Sequence, residues 1–153
     1  LATRNLAGIN GRGGNRGILE ALARDLRGDF KLNVCILHTT TWADIHAASK
    51  TPEIHGGKNE TSMMLAVAPH LVRADEIKKL QPVPGADAVR ATILDQSVTW
   101  PWTTNEKAIA ANGVIGDAKS ASAEFGQQLL EKITDAAGGV FKQLLGRQQL
   151  LRG

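Results

Sequence analysis

A histidine and a glutamate five residues apart are the groups in this chain best suited to chemistry. His55 is followed by Gly56 and Gly57, and Glu60 opens an apolar, helix-like run. Imidazole titrates near neutral pH and a carboxylate is a strong acceptor, so the pair can transfer protons or hold a metal. The glycines let the backbone turn tightly and approach a ligand. A loop histidine beside a helix-capping glutamate explains the same residues without any function.

A glycine-rich turn upstream is a second candidate site. Residues 11–17 read GRGGNRG, and the apolar residues after them have helical spacing. Free backbone N–H groups ahead of a helix attract anions, so this turn could cradle a phosphate. Its glycines miss the G-x-G-x-x-G spacing of dinucleotide sites. A plain tight turn between a strand and a helix is the alternative.

The elements that position these groups begin with a strand, a helix and a second strand. Asn5–Asn10 is the first predicted strand, and an apolar, β-branched run predicts the second over Phe30–His38. The helix between them starts near Asn15 and has a stop signal at Gly28. This order requires parallel strands, and ligands bind beyond the carboxyl ends of such strands.

Two further helices complete an α/β layered pattern. One is predicted from about Asn59 to Val67, and the other from Ser120 to about Ala137. Gly138-Gly139 should break or kink the second helix, and Asp117 is expected to cap a helix rather than touch substrate. Residues 72–112 are rich in proline and glycine and carry no clear element.

Composition and length exclude several classes of protein. The net charge is +3 with dispersed basic residues, which argues against a nucleic-acid surface. No apolar run is long enough for a membrane span, and 153 residues suit one domain. A lone Cys35 and no basic-then-apolar leader predict a cytoplasmic protein. Because the first residue is leucine, we expect the chain to be cut from a precursor or trimmed.

Three motifs, in this order, resemble the creatininase family of metal-dependent amidohydrolases. They are the turn at residues 11–17, the His55 loop with Glu60-Thr61-Ser62, and the Gly116-Asp117 turn before the last helix. The family typically has Asn-Gly-His-Gly-Gly-Asn, then His-Ala/Gly-Gly with Glu-Thr-Ser, then a Gly-Asp turn. The resemblance implies one three-layer α/β/α domain over residues 1–153, with a mainly parallel sheet whose first strands are missing from this chain.

The resemblance also implies roles for the motif residues. His55 matches a histidine implicated in proton transfer to the leaving nitrogen, and Glu60 lies beside the metals as a supporting residue or a ligand. Trp42 falls where creatininase carries a tryptophan near its substrate. Trp100 or Trp102 could wall the same pocket, although filling gaps in the core is the alternative for each tryptophan.

Two departures from the family pattern affect the metal site. Arg12 stands at the position of a ligating histidine, and a guanidinium has no lone pair to offer a metal. Gly14 stands where creatininase has a ligating glutamate. The other ligands, a Glu, a His and a bridging Asp, lie in a first segment that this chain does not contain. The resemblance therefore implies a zinc or manganese centre held mostly by a partner chain, with Arg12, Gly13 and Asn15 beside the substrate.

Three arrangements follow. A second polypeptide, either the N-terminal half or a paralogous subunit, completes an active site; the chain is a non-catalytic structural or regulatory subunit; or it is the C-terminal piece of a cut enzyme. In an active assembly a metal-activated water would attack a small amide or cyclic amide, and His55 would protonate the leaving nitrogen. The family commonly forms higher oligomers. A weaker alternative is a binding module whose glycine turn and Arg12 hold a small anion.

Overall fold

The computed structural model divides the chain into two compact units. One comprises Leu1–Asp44 and Glu131–Gly153, and the other comprises Ile45–Leu130. The structure describes residues 4–39, 53–81, 86–94, 98–110 and 112–150. Within these ranges, no helix combines the length and the apolar content needed to cross a lipid bilayer. The single domain expected over residues 1–153 stays a prediction.

Two parallel strands joined by a helix dominate the first unit. Strand β1 (Asn5–Asn10) leads through a 3-10 turn at Gly13–Asn15 into helix α1 (Arg16–Phe30), and strand β2 (Asn33–His38) follows. The strands pair in parallel along their full length, so their carboxyl ends meet at one edge. The predicted βαβ unit and the α/β class are confirmed, and β1 has the predicted bounds.

Helix α1 extends further than predicted. Gly28 lies inside the helix, because one helical glycine costs only about 1 kcal/mol relative to alanine. The helix ends at Phe30, where the next residue, Lys31, turns left-handed with φ of 54°. The Lys31 backbone N–H then donates to the carbonyl of Leu26. Strand β2 consequently begins at Asn33 rather than at Phe30.

A small buried cluster organises the second unit. Its members are fully or almost fully buried: Val89, Ile109, Ala110 and Ile115. Ile54, Ile93 and Trp102 pack against it. The helices of this part of the chain are, in order, α2 (Lys58–Val67), α3 (Ala74–Lys79) and α4 (Ala86–Val89), which continues as a π-helical turn at Arg90–Leu94. Helix α2 confirms the helix predicted from about Asn59 to Val67.

The last helix is longer than predicted. Helix α5 (Ala123–Leu150) runs for 28 residues and passes through Gly138 and Gly139 without interruption, so the predicted break is wrong. A side chain at either glycine would meet nothing within 4 Å. Two helical glycines cost about 2 kcal/mol in propensity, which the bonds of a continuous helix offset. The helix begins at Ala123 rather than Ser120, because a 3-10 turn at Ala118–Ser120 precedes it.

Helices α2 and α5 touch backbone to backbone at Gly126. A Cβ at this position would lie 1.9 Å from the carbonyl oxygen of Ser62. Ser62 is fully buried, and its Oγ accepts the backbone N–H of Ser122 at 3.1 Å. Glycine is therefore required where the start of α5 crosses α2.

Replacing Gly126 with alanine is expected to destabilise the protein by about 2 kcal/mol or more, since the added methyl overlaps backbone that cannot rotate away. Gly138→Ala in the same helix is the matched control. It meets open space and should stabilise the protein by up to about 1 kcal/mol through helix propensity. Urea unfolding followed by circular dichroism measures both changes, and equal stability of the two variants would contradict the close approach.

Candidate active site

The backbone of His55 is held against a fully buried residue. His55 and Ile115 form an antiparallel bridge. The Ile115 N–H donates to the His55 carbonyl at 2.7 Å, and the His55 N–H donates to the Ile115 carbonyl at 3.0 Å. His55 itself is exposed, and among the described residues its imidazole has no hydrogen-bond partner. The loop thus presents this side chain to solvent on a fixed backbone.

A buried carboxylate ties the His55 loop to a distant turn. Glu53 is 9% exposed; its Oε2 accepts the Lys58 N–H at 2.6 Å and its Oε1 accepts the Asp117 N–H at 3.0 Å. We call these two bonds the Glu53 clamp. A buried charge is costly unless it is hydrogen-bonded, and here both oxygens are. Glu53 is absent from the predicted site, although an acid just ahead of a helix N-terminus is a recognisable signal.

Glycine is required at two positions beside the Glu53 clamp. A Cβ at Gly57 would lie 2.1 Å from Oε2 of Glu53, and one at Gly116 would lie 2.7 Å from the same oxygen. The loop and the turn can approach the carboxylate only because neither residue has a side chain. The next residue, Asp117, accepts the Ser120 N–H at 3.3 Å and so caps the 3-10 turn, as predicted.

The Glu-Thr-Ser element makes three structural contacts. The Glu60 carboxylate accepts the backbone N–H of Gly56, and the Thr61 hydroxyl donates to the Gly56 carbonyl at 3.1 Å. Ser62 accepts from Ser122, as described above. Glu60 occupies the third position of α2, from which an acidic side chain often reaches back to amides before the helix. The helix-capping alternative for Glu60 is therefore realised in the structure.

The described residues do not fit a metal centre. Within their ranges, no three His, Cys, Asp or Glu side chains are grouped so that they could hold an ion, whereas catalytic zinc sites use three protein ligands. The carboxylates of Glu53 and Glu60 are already engaged by backbone N–H groups. This part of the chain therefore offers fewer than the three protein ligands of a catalytic zinc site.

The glycine-rich turn of the first unit is shaped by Asn10. This residue is buried, and its Oδ1 accepts the Arg12 N–H at 3.1 Å. The Asn15 N–H donates to the Arg12 carbonyl at 3.1 Å, but the Asn15 side chain makes no capping bond to α1. Arg12, Gly13 and Asn15 are all exposed. The tight turn is present, and the substrate-binding role of these three residues stays a prediction.

His38 belongs to a polar group at the carboxyl ends of the two strands. The Asn10 Nδ2 lies 3.0 Å from His38 Nδ1, and His38 Nε2 lies 3.5 Å from Glu20 Oε1. The hydrogen bond from Arg16 holds the pKa of the exposed Glu20 carboxyl below its ordinary value. The sequence predicts no special role for His38. His38 is distinguished by its position opposite Asn10, where the two parallel strands end. Ligands bind at this edge of open α/β sheets.

The single cysteine is not activated. Burial raises the pKa of the Cys35 thiol, so the neutral thiol predominates near neutral pH. The thiolate is the nucleophilic form of cysteine. Cys35 is therefore unsuited to nucleophilic catalysis.

The tryptophans predicted to line a pocket differ in their surroundings. Trp102 is half-buried and packs against the core cluster of the second unit, which agrees with the gap-filling alternative. Trp100 is 55% exposed. Trp42 lies outside the described residues. The substrate role of all three stays a prediction.

Comparison with known proteins shows that the chain belongs to the creatininase family. The family model Creatininase, described as creatinine amidohydrolase, matches residues 2–140. A provisionally assigned creatinine amidohydrolase from Bacteroides fragilis has a TM-score of 0.69 at 20% identity, covering 90% of this chain and 53% of its own. A creatininase has a TM-score of 0.63 at 23% identity, covering 92% and 56%. A glutamate-to-glutamine creatininase variant of the Zn-Zn type has a TM-score of 0.64 at 23% identity and covers the same shares.

These structures show the fold and define how much of it this chain contains. The chain spans about half the length of the solved chains that it matches, which is 53–56% of each. Among curated proteins, none matches it. The predicted resemblance and the creatininase-like α/β fold are confirmed.

Replacing Glu53 with glutamine should open the Glu53 clamp, because an amide nitrogen cannot accept from a backbone N–H. We expect a loss of about 1–3 kcal/mol in the free energy of unfolding and faster amide exchange at Lys58 or Asp117. Glu106→Gln is the control: this exposed carboxylate also accepts a backbone N–H, that of Thr103 at 2.8 Å, and should change stability by less than about 0.5 kcal/mol. Unchanged exchange at both amides would disprove the clamp.

Proposed function

Since the chain belongs to the creatininase family, we propose that it forms part of a metal-dependent amidohydrolase. The assembly hydrolyses a C–N bond in a small amide or cyclic amide. The observation that carries this proposal is the exposed His55 imidazole, which stands on a loop fixed by the Ile115 bridge and by the Glu53 clamp. A fixed backbone beneath a free imidazole is what a proton donor needs, because misplacement by about 1 Å is costly in catalysis.

His55 acts in this proposal as a general acid. Its imidazolium gives a proton to the amide nitrogen as the C–N bond breaks, so that nitrogen leaves as a neutral amine rather than as an anion. Backbone contacts hold the loop, and no side-chain partner among the described residues competes for the imidazole. The family motif and the geometry support the same residue.

Residues outside this chain complete the catalytic centre in our proposal. The described residues hold no cluster of three ligands, and Arg12 lacks the lone pair of the family histidine. A second polypeptide, either a paralogous subunit or one that corresponds to the unmatched half of the solved chains, would supply most ligands for zinc or manganese. Arg12 would add a fixed positive charge towards substrate or a developing oxyanion. We expect several copies to assemble into a higher oligomer.

An exposed apolar surface in the first unit supports such a partner. Ile9 of β1 is 64% exposed and Ile18 of α1 is 72% exposed, while Leu6 and Leu22 are also on the surface. Among the described residues, β1 pairs with β2 alone, which leaves its other edge available for hydrogen bonds. Exposed apolar side chains and an unpaired strand edge are features that a partner chain can cover.

A non-catalytic subunit of the same fold is the second candidate. It is favoured by the structural work of the Glu-Thr-Ser element, in which each of the three side chains holds backbone in place. A chain that had lost catalysis would still need these residues to fold. In this candidate the partner polypeptide is an active paralogue, and this chain supports or regulates it.

His55→Ala separates the two candidates. In the catalytic assembly it should lower turnover by about 100-fold or more, because general acid–base catalysis contributes roughly 10²–10⁴ in rate. The assay uses creatinine and a panel of small amides, and native mass spectrometry confirms that the assembly is intact. His70→Ala removes an exposed histidine outside the motifs and should leave turnover unchanged. An intact assembly with equal turnover in both variants would remove His55 from the mechanism.

Metal content tests the shared centre directly. The isolated chain, after dialysis, is expected to retain much less than one zinc or manganese ion, since the described residues provide no ligand cluster. Elemental analysis by mass spectrometry gives the ratio. The complete assembly should recover stoichiometric metal. Stoichiometric metal on the isolated chain would overturn the proposal that a partner holds it.

A further inference from the structure

An open cavity in the second unit adjoins the site described so far. Its volume is about 440 Å³, which falls within the roughly 300–1,000 Å³ of small-molecule sites. Gly56 and Thr61 form part of its wall, and these two residues are joined by the hydrogen bond between the Thr61 hydroxyl and the Gly56 carbonyl. The cavity therefore borders the loop that carries His55 without including His55 in its lining.

The charged residues that line the cavity determine whether it favours an anionic or a cationic ligand. Among the residues that the structure describes, three charged ones line the cavity: Arg73, Glu76 and Lys79. Lys79 Nζ lies 2.8 Å from Glu76 Oε1, so this pair is neutral as a unit. Arg73 has no ion-pair partner in the part of the chain that the structure describes. One uncompensated guanidinium remains, and it favours an anion.

The described lining also contains four apolar residues. Ile77, Leu80 and Val114 are partly buried, and Ala118 is buried. Asn112 adds an exposed amide that can both donate and accept. Polar and apolar groups therefore line the cavity together. A ligand that suits this lining has one anionic end and a short apolar body.

We propose that this cavity binds a small monoanionic carboxylate with a branched apolar tail. The guanidinium of Arg73 holds the carboxylate, a planar acceptor that matches its two parallel N–H donors. The apolar tail packs against Ile77, Leu80 and Val114, which shield it from water. A dianionic phosphate is disfavoured, because Lys79 is paired with Glu76 and, among the described lining residues, Arg73 is the one cation without an ion-pair partner. This site is independent of the proposed amidohydrolase reaction.

The ligand-binding test uses the full, isotope-labelled chain and heteronuclear NMR. Isocaproate is the probe, and isocaproamide is its neutral isostere. We expect isocaproate to shift the amide signals of Gly56, Thr61 and Asn112 saturably, with a Kd on the order of 1 mM for so small a ligand. Isocaproamide should bind at least about tenfold more weakly, because it lacks the charge-assisted bond. Inorganic phosphate should bind more weakly than isocaproate.

Two variants assign the binding to the guanidinium. Arg73→Gln should weaken isocaproate binding by about tenfold or more while leaving isocaproamide binding unchanged. Lys78→Gln is the matched control, since Lys78 lies on helix α3, which Arg73 immediately precedes, but does not line the cavity, and it should leave both affinities unchanged.

Four results would overturn the proposal. They are the absence of any saturable shift at the three amides, equal affinity for the acid and the amide, phosphate binding as tight as isocaproate, and unchanged isocaproate affinity in Arg73→Gln. None of them bears on turnover by the assembly, so failure of this site and failure of the proposed reaction are distinguishable.

Discussion

The second unit depends on the two hydrogen bonds that the carboxylate of Glu53 accepts. One side chain holds the first amide of α2 and the amide that follows Gly116, and thus connects segments 64 residues apart. Charge-assisted hydrogen bonds of this kind are about twice as strong as neutral ones, and the low exposure of Glu53 protects them from competing water. The Glu53 clamp also restricts the sequence, because only glycine at positions 57 and 116 leaves room for the carboxylate.

The same arrangement explains how the exposed side chain of His55 stands on a backbone that is held in place. His55 lies between Glu53 and Gly57, and its own backbone is bridged to Ile115 in the buried cluster. Loops carry function when a scaffold positions them. Here the scaffold is made of backbone hydrogen bonds and one buried acid, while the imidazole remains exposed. This exposed imidazole is the group to which we assign proton transfer in the proposed function.

The sequence predicts the elements whose signals are local. The bounds of β1 and the position of α2 follow from apolar spacing and from flanking glycines. The end of α1 does not, because Lys31 rather than Gly28 adopts the left-handed conformation. Gly138 and Gly139 look like a break, yet α5 continues because each glycine costs the helix little. Local propensity is a weak guide where a long helix gains from continuity and packing.

The site was predictable only in part for a related reason. His55 and Glu60 stand out in the sequence because their spacing matches a motif. Glu53 and the pairing of Asn10 with His38 depend on contacts between residues far apart in the chain. No spacing rule encodes such contacts. A register of parallel strands or a buried bridge must be known before they can be recognised.

The close approach of Gly126 to Ser62 gives the Glu-Thr-Ser motif of this chain a role in the fold. Ser62 and its neighbours hold the architecture together, so selection for solubility alone would preserve them after chemistry had been lost. In this chain the Glu-Thr-Ser element therefore has a structural role that does not depend on catalysis. The imidazole of His55, by contrast, makes no hydrogen bond to the described residues, so folding alone places no such constraint on it.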